Sequence, residues 1–356
     1  MAGALIIEGG LDDVPAIAQA REQIFVFQQI SYDENGEIES IGVFGGGKWE
    51  DSERHTLVNG QLVPTLYLRP GEVQRWRLIH AGIREALHLQ LEGHTLHEIA
   101  LDGLSMGRIS AWGLDQSIEL YPGYRSDVLI KAAPLPRKAP SATYLLRDIA
   151  SSGERMALRA GAPEDSSILA RVVVRGEPVN MALPGDADVA VTKAHEDIKL
   201  GDLLTGVEQS VAFNIAKFYC DPDAPGEACV PCDQAGVPAD SNQCSDEAPN
   251  KFMVNDRPFS ENFQLTAKLG TVARWKVASA SPSSGHPFHI HVNPFQVERQ
   301  GPQGWETVWK DTMFIPKQST LELLTRYRRF SGSFVIHCHI LDHEDNGMMA
   351  LVKIDP

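Results

Sequence analysis

Short stretches in which apolar and polar residues alternate recur along this chain, separated by turn signals. A side-chain period of two is typical of strands with one buried face. Stretches with this period lie at residues 23–29, 65–69, 74–79, 86–91 and 126–131. Turn-favouring pairs between them include Asn59-Gly60, Pro70-Gly71 and Pro122-Gly123. The pattern predicts an all-β protein, with at most a short helix before residue 22.

The strand-like stretches form two blocks. The first runs from about residue 20 to 175 and the second from 206 to 356, which predicts two β-sandwich domains. Residues 176–205 are mixed in charge and carry little strand pattern, so we interpret them as a linker. Residues 220–250 are rich in Cys, Asp, Pro and Gly, which predicts a surface loop inserted into the second domain.

The two ends of the chain have similar sequences. Residues 1–8 read MAGALIIE, and residues 347–354 read GMMALVKI. We therefore interpret residues 1–19 as the last strand of an earlier, missing domain copy followed by a linker, although so short a match also arises by chance. The opening has neither the basic start nor the cleavage site of a signal peptide.

Charge and hydropathy exclude several classes of partner. The chain has 356 residues and a net charge of −15. Nucleic-acid binding needs a basic face, so no nucleic-acid partner is expected. An anionic membrane surface would repel the same charge, and no apolar stretch approaches the roughly 18 residues of a membrane span. No membrane association is therefore expected.

The five cysteines fall into two groups. Cys220, Cys229, Cys232 and Cys244 lie together in the predicted loop, whereas Cys338 stands alone. The C-x-x-C pair is compatible with a zinc knuckle. The acidic, Pro-rich surroundings instead favour two disulfides that staple a loop with little core of its own. Four cysteines allow three pairings, and the sequence does not choose among them.

Half of the twelve histidines lie in two segments near the end of the chain. Residues 286–291 read HPFHIH, and residues 337–348 read HCHILDHEDNGM. If the segments form neighbouring strands, the period of two separates the side chains into two sets on opposite faces. One set is His289, His291, His337 and His339. The other is Cys338 with His286, His343 and Met348, which can return to the side of the thiolate.

The two sets suit different copper chemistry. Two imidazoles, a thiolate and a distant thioether are the ligands of a blue-copper electron-transfer site. Four imidazoles without a thiolate suit copper ions that bind oxygen. Cys338 is covalently continuous with His337 and His339, so an electron on its sulfur has a short bonded route to the second set. Packed core histidines or a generic zinc site are plainer interpretations, but the interleaved order and the soft Met ligand favour copper.

The segments resemble the C-terminal copper motifs of the multicopper oxidases, the family of laccase, ascorbate oxidase and the copper-resistance oxidases. The family pattern is H-P-x-H-x-H, then H-C-H-x-x-x-H-x-x-x-x-M, and this sequence matches at every ligand position. The resemblance covers nearly the whole chain. It implies two cupredoxin-like Greek-key β-sandwiches, the family's middle and C-terminal domains. The ligands it implies are His286, Cys338, His343 and Met348 for type 1 copper, His289 for type 2, and His291, His337 and His339 for type 3.

The sequence departs from the family in one respect. The family's trinuclear cluster takes half of its histidines from two His-x-His pairs in a first domain, and no such pair occurs outside the two segments. We interpret the other histidines, at positions 55, 80, 88, 94, 97 and 195, as packing or surface residues. The oxygen-reducing site is therefore expected to be half present.

The resemblance implies a laccase-like oxidase. Such an enzyme oxidises phenols, aromatic amines or metal ions by single electrons and reduces dioxygen to water, with Cys338, His337 and His339 relaying the electrons. The chain would then be a fragment, a truncated product or one part of a split enzyme, completed by a separate chain that supplies the missing first domain. Because the family is usually exported, a periplasmic or secreted location is expected.

Two other functions remain open. The first, and the main alternative to an oxidase, is a non-enzymatic copper-binding or electron-transfer protein that uses the type 1 site alone. A nitrite reductase relative is disfavoured, since its chemistry does not need histidines on both sides of Cys338. The electron donor is not specified by the sequence. Asp342, Glu344 and Asp345 flank His343 and are either an acidic rim that attracts cationic donors or ordinary solvated charge.

Overall fold

The structure, a computed structural model, describes residues 2–32, 35–37, 53–150, 168–205, 207–216, 218–219, 230–232, 236, 251–262, 264–281 and 284–356. Within these ranges the chain is mainly β-strand with a few short helical turns. The prediction of an all-β protein is confirmed. No helix in the described ranges is both long and apolar enough to cross a membrane.

The strands before residue 176 form two sheets. Their bounds are β1 Arg21–Tyr32, β2 Glu53–Val58, β3 Thr65–Leu68, β4 Val73–His80, β5 Leu87–Leu91, β6 Leu96–Leu101, β7 Leu104–Trp112, β8 Ile118–Leu120, β9 Arg125–Lys131, β10 Ser141–Asp148 and β11 Ile168–Arg175. One sheet has the order β2-β1-β4-β9-β6-β7 and the other β3-β11-β10-β5-β8. All five strands predicted from the alternating pattern are present.

The strands after residue 206 form two more large sheets and a small hairpin. Their bounds are β12 Val207–Ala216, β13 Phe218–Tyr219, β14 Val230–Pro231, β15 Lys251–Val254, β16 Gln264–Lys268, β17 Val272–Ser279, β18 His286–Ile290, β19 Phe295–Gly301, β20 Gly304–Lys310, β21 Thr312–Ile315, β22 Ser319–Arg326, β23 Gly332–Cys338 and β24 Met349–Asp355. The large sheets have the orders β15-β12-β17-β22-β19-β20 and β16-β24-β23-β18-β21, and β13 pairs with β14.

The same strand order is used twice. In the first pair of sheets β1 runs parallel to β4, and β3 runs parallel to β11. In the second pair β12 runs parallel to β17, and β16 runs parallel to β24. All other pairings given for these sheets are antiparallel. The chain therefore contains two β-sandwiches of one topology, as predicted.

Aromatic residues on equivalent strands contribute to the core of each sandwich. Phe25 on β1 packs against Trp76 on β4, with 4.8 Å between ring centroids, and both are buried. On the equivalent strands β12 and β17, Phe213 and Trp275 are fully buried. Each such side chain contributes about 1.5–3 kcal/mol on burial. On β1, the buried residues Phe25 and Phe27 are apolar positions of the alternating stretch 23–29.

The segments expected to be linkers carry no strand in the described residues. Residues 176–205 contain a helical turn at Asp186–Val189 and 3₁₀ turns at Ala190–Thr192 and Leu200–Thr205. At the start of the chain, Gly10–Asp13 is a 3₁₀ turn and Pro15–Ala18 the predicted short helix. Residues 2–8, expected to be a strand, form neither strand nor helix. A strand requires a partner for its backbone groups, and no described strand pairs with this segment.

The chain divides into two compact units. Among the described residues, one unit lies within Met1–Ile38, Glu53–Asp197 and Gln296–Lys310, and the other lies within Ile198–Phe295 and Asp311–Pro356. The eight residues predicted as copper ligands all lie in the second unit. The domain limits expected from the sequence, 20–175 and 206–356 with a linker at 176–205, remain predictions. Most of the predicted insertion at 220–250 lies outside the described residues.

Candidate metal centre

Two neighbouring strands bring the histidine segments together. β18 and β23 are antiparallel, with His289 opposite His337 and Phe288 opposite Cys338. Directly opposed residues share a face of the sheet, and successive residues alternate between faces. His289 and His337 therefore project to one side and Cys338 to the other. This is the division of faces that the sequence predicts.

The first cluster gathers around Cys338. The Sγ atom of Cys338 lies 3.5 Å from Nδ1 of His286 and 3.6 Å from Nδ1 of His343. The two Nδ1 atoms are 3.2 Å apart. His286 is on β18, and His343 is on a short helix, Leu341–Asp345, that follows β23. His286 and Cys338 are fully buried, and His343 is 3% exposed.

Met348 is held beside this cluster by its backbone. Its N–H donates to the carbonyl oxygen of His343 at 2.9 Å, and its own carbonyl accepts the N–H of Cys338 at 3.1 Å. Gly347 has a φ of +105°, a conformation that L side chains rarely adopt, and this lets the chain turn back toward β23. Met348 is fully buried. The backbone thus fixes all four predicted type 1 residues in one buried region.

The donor atoms of the first cluster fit a soft metal ion. Burial, and then the neighbouring His343, hold the pKa of His286 well below its usual range, so this ring is neutral and its lone pair is available. Nδ1 of His286, Nδ1 of His343 and Sγ of Cys338 all converge on one point. A thiolate, two imidazoles and a nearby thioether make a set that suits copper better than a hard cation.

The second cluster consists of four imidazoles. The ring centroid of His289 lies 4.9 Å from that of His291, 5.1 Å from that of His337 and 5.6 Å from that of His339. Nε2 of His291 and Nε2 of His337 are 3.2 Å apart. His337 is buried and His291 is exposed, so the cluster opens on one side.

Neighbouring polar groups orient the rings of this cluster. Nδ1 of His289 lies 2.9 Å from Oγ1 of Thr312 and 3.0 Å from the carbonyl oxygen of Asp311. Nδ1 of His337 lies 2.9 Å from the carbonyl oxygen of Cys338 and 3.1 Å from Oε2 of Glu344. These acceptors favour a proton on each Nδ1, which leaves the Nε2 lone pairs to face the cluster.

Burial lowers the pKa of two imidazoles of the second cluster, those of His339 and His291. Burial, and after it the nearby His289 and His337, lowers the pKa of His339 to about 4. Burial also lowers the pKa of His291, and the neighbouring His289 and His337 lower it by smaller amounts. Burial by itself raises the pKa of the Glu344 carboxyl, but the hydrogen bond and charge of His337 outweigh this and leave that pKa below its ordinary value.

Comparison with known proteins decides the family. A family model described as multicopper oxidase matches residues 236–356, and a second model of the same description matches residues 32–161, so that together they span more than half of the chain. The chain belongs to the multicopper oxidase family. The family assignment from the two copper motifs is confirmed, and copper is the metal that the family implies.

Several multicopper oxidases are similar to most of the chain. A laccase of Bacillus stratosphericus is 26% identical over 84% of the chain and 54% of the laccase. A multicopper oxidase of Staphylococcus aureus is 22% identical over 97% of the chain and 59% of that protein. The solved multicopper oxidase of Campylobacter jejuni, titled a metallo-oxidase, superposes with a TM-score of 0.65 at 22% identity, over 96% of the chain and 65% of that structure. The chain therefore spans less than two thirds of each of these relatives.

The acidic residues around His343 do not all face solvent. Asp342 is 5% exposed, and Glu344 turns toward His337 in the second cluster. Asp345 alone among these three is exposed. An acidic rim made of all three residues is therefore wrong, because the helix Leu341–Asp345 directs them to different sides.

Phe252 is a site residue that the sequence did not indicate. Its ring centroid lies 4.8 Å from that of His343, with 32° between the ring planes. Phe252 is itself buried at 8% exposure, so it keeps water from the imidazole. It lies on β15, which follows the Cys-rich stretch, and no local pattern connects it to His343. Only the pairing of β15 with β12 brings it there.

Two of the histidines outside the two segments, His80 and His94, have hydrogen-bond partners within the fold. Nδ1 of His94 lies 2.7 Å from the carbonyl oxygen of Glu92, and its Nε2 accepts the N–H of Ala133 at 3.0 Å. Nε2 of His80 lies 2.6 Å from the carbonyl oxygen of Glu85. Among the described residues, the groups able to hold a metal ion contain neither of them.

Within the predicted Cys-rich loop the structure describes Cys232, which is buried and disulfide-bonded. This agrees with the disulfide interpretation for that residue. Cys220, Cys229 and Cys244 lie outside the described residues. We expect thiol titration of the unfolded, unreduced protein to detect one thiol, that of Cys338. Four further reactive thiols released together with zinc would support the zinc-knuckle interpretation instead.

Proposed function

We propose that this chain carries the electron-accepting part of a laccase-like oxidase. In this proposal His286, Cys338, His343 and Met348 hold a type 1 copper ion, and His289, His291, His337 and His339 supply half of the ligands of the oxygen-reducing cluster. When bound, copper supplies a one-electron centre beside the thiolate and a dioxygen-binding centre among the imidazoles. The observation that carries the proposal is the convergence of Sγ of Cys338 with two buried imidazole nitrogens.

The residues of the chain divide the remaining work. Cys338 connects the clusters through its covalent bonds to His337 and His339, which provides a short path for an electron. Thr312 and Asp311 orient the ring of His289, and Glu344 fixes that of His337. Phe252 excludes water from His343, so an electron donor approaches the first cluster over this ring rather than through a water layer.

We propose phenols, aromatic amines or metal ions as electron donors and dioxygen as the acceptor once the second cluster is complete. The exposure of His291 supports completion by histidines from another polypeptide, because the open side of the cluster is accessible. We further propose a periplasmic or secreted location. The disulfide at Cys232 supports it, since disulfides persist in oxidising compartments.

A second function rests on the count of histidines. The second cluster has four imidazoles, and the sequence has no further His-x-His pair to complete it. This count suits a copper-binding or electron-transfer protein that uses the first cluster alone. The proposed oxidase and this carrier share the first cluster and differ in oxygen reduction. Copper titration of the chain tests the shared part: an intense blue absorption should grow with the first equivalent of copper. Copper binding without that absorption would contradict both functions.

Replacement of Met348 by leucine should preserve the blue colour and raise the reduction potential. Leucine is similar in volume and equally apolar, so the buried site keeps its packing. The change removes a weak axial donor that stabilises the oxidised ion more than the reduced ion. Redox titration of the copper-loaded protein at the blue absorption measures the effect. An unchanged or lower potential would show that Met348 is not an axial ligand.

Replacement of Phe252 by leucine should speed reduction of the blue centre by bulky donors several-fold. In the unaltered protein His343 is 3% exposed, and the smaller leucine side chain should uncover the edge of its ring. Stopped-flow bleaching of the blue absorption measures the rate without any need for oxygen turnover. Phe259→Leu is the matched control, because Phe259 is already 38% exposed. Equal rates in both variants would mean that Phe252 does not limit access.

A further inference from the structure

A cleft in the first unit is lined by three arginines, although the protein has a net charge of −15. Arg21 begins β1, Arg69 follows β3 and Arg175 ends β11. β3 and β11 are parallel neighbours, which places the last two side by side. The cleft has a volume of about 560 Å³. Small-molecule sites commonly measure about 300–1,000 Å³, so the cleft is large enough for a small ligand.

One carboxylate in the cleft, that of Glu72, is already engaged by the fold. Its Oε2 accepts the backbone N–H of Arg69 at 2.7 Å, and its Oε1 accepts an N–H of the Gln74 amide at 2.9 Å. Nε of Arg21 lies 3.3 Å from the same Oε1. Glu72 is buried and offsets one of the three positive charges. The lining therefore retains a local excess of positive charge.

Arg175 is the guanidinium best placed to receive a ligand. Its Cζ lies 4.2 Å from the centroid of the Tyr67 ring, so one face of the guanidinium is stacked. Stacking leaves the in-plane N–H groups, the fork that matches a carboxylate. In the part of the chain that the structure describes, Arg175 makes no ion pair. Arg21, in contrast, donates to the carbonyl oxygen of Tyr67 as well as pairing with Glu72.

The rest of the cleft wall is apolar. Leu68 and Val73 are buried, and Met181 lies beside Val73, whose N–H donates to the Met181 sulfur at 3.4 Å. Tyr67 is 45% exposed and adds an aromatic ring. An inorganic anion would satisfy the arginines but leave this carbon surface in water. A ligand with both an anionic group and an apolar body would cover both parts.

We propose that this cleft binds a small organic carboxylate, with its carboxylate on Arg175 and its apolar body against Met181 and Tyr67. The cleft contains none of the candidate copper ligands and lies in the first unit. The proposal therefore goes beyond the oxidase function, and a test of one does not decide the other.

Calorimetric titration of the full chain with benzoate, benzyl alcohol and inorganic phosphate tests the proposal. Benzoate should bind saturably, and the other two probes should bind roughly tenfold more weakly because each satisfies one part of the cleft. Phosphate binding as tight as that of benzoate would reveal a patch that responds to charge alone and would overturn the proposal. Equal binding of benzyl alcohol, or no saturable binding of benzoate, would overturn it as well.

Two matched variants locate the site. Arg175→Gln should weaken benzoate binding roughly tenfold. Arg171→Gln, four residues earlier on the exposed side of β11 and outside the cleft, removes the same charge and should leave binding unchanged. Arg175→Lys keeps the charge without the fork and should bind benzoate more weakly than the unaltered chain. Thermal melts of all variants check folding. Equal loss in Arg175→Gln and Arg171→Gln, or full binding by Arg175→Lys, would contradict the assignment to Arg175.

Discussion

The copper-loaded chain, free of any other polypeptide, is expected to take up electrons from a laccase dye without sustained consumption of dioxygen. The second cluster offers four imidazoles, those of His289, His291, His337 and His339. Four ligands spread over the three ions of the family's cluster leave vacant positions on each ion, so binding should be weak and the geometry loose. Association of identical copies does not help, because every copy lacks the same histidines.

Oxygen-electrode measurements with the loaded chain test this expectation. Oxygen uptake should stay near the rate of free copper with the dye, while the blue absorption bleaches once and remains bleached. Addition of a separate polypeptide with two His-x-His pairs should restore turnover if the enzyme is split. The same polypeptide with those histidines changed to alanine is the control. Sustained turnover by the chain alone, at full copper loading, would show that its own residues complete the cluster.

Replacement of Cys338 by serine should abolish the blue absorption altogether. The colour arises from charge transfer between a thiolate and copper, and Cys338 is the cysteine that approaches both His286 and His343. Serine is close in size, so the fully buried site should still fold. His291→Ala is the matched control, since His291 lies in the second cluster and its loss should leave the colour intact. Colour that survives in Cys338→Ser would refute the type 1 assignment.

Strand periodicity made much of the candidate site predictable. Because side chains alternate along a strand, the order His337, Cys338, His339 fixes two imidazoles on one face and the thiolate on the other. The structure reproduces that division through the pairing of His289 with His337. Strands of the first sandwich were predictable for the same reason, since the inward residues Phe25 and Phe27 stand in the alternating stretch 23–29.

Contacts that depend on tertiary packing could not be predicted. Phe252 lies far from His343 in sequence, and only strand pairing brings the rings to 4.8 Å. The sequence left Asp342 and Glu344 open between an acidic rim and ordinary solvated charge, whereas the helix Leu341–Asp345 turns Glu344 to His337 and buries Asp342. Local sequence gives the spacing of such side chains but does not give the direction of the helix that carries them.

X-ray absorption at the copper edge tests the type 1 assignment, because it reports which atoms surround the metal. The chain loaded with one equivalent of copper should show one short copper–sulfur distance and two copper–nitrogen distances, as expected for Cys338, His286 and His343. The short sulfur contribution should disappear in Cys338→Ser. A first equivalent of copper surrounded by nitrogen and oxygen alone would show that Cys338 does not bind the metal.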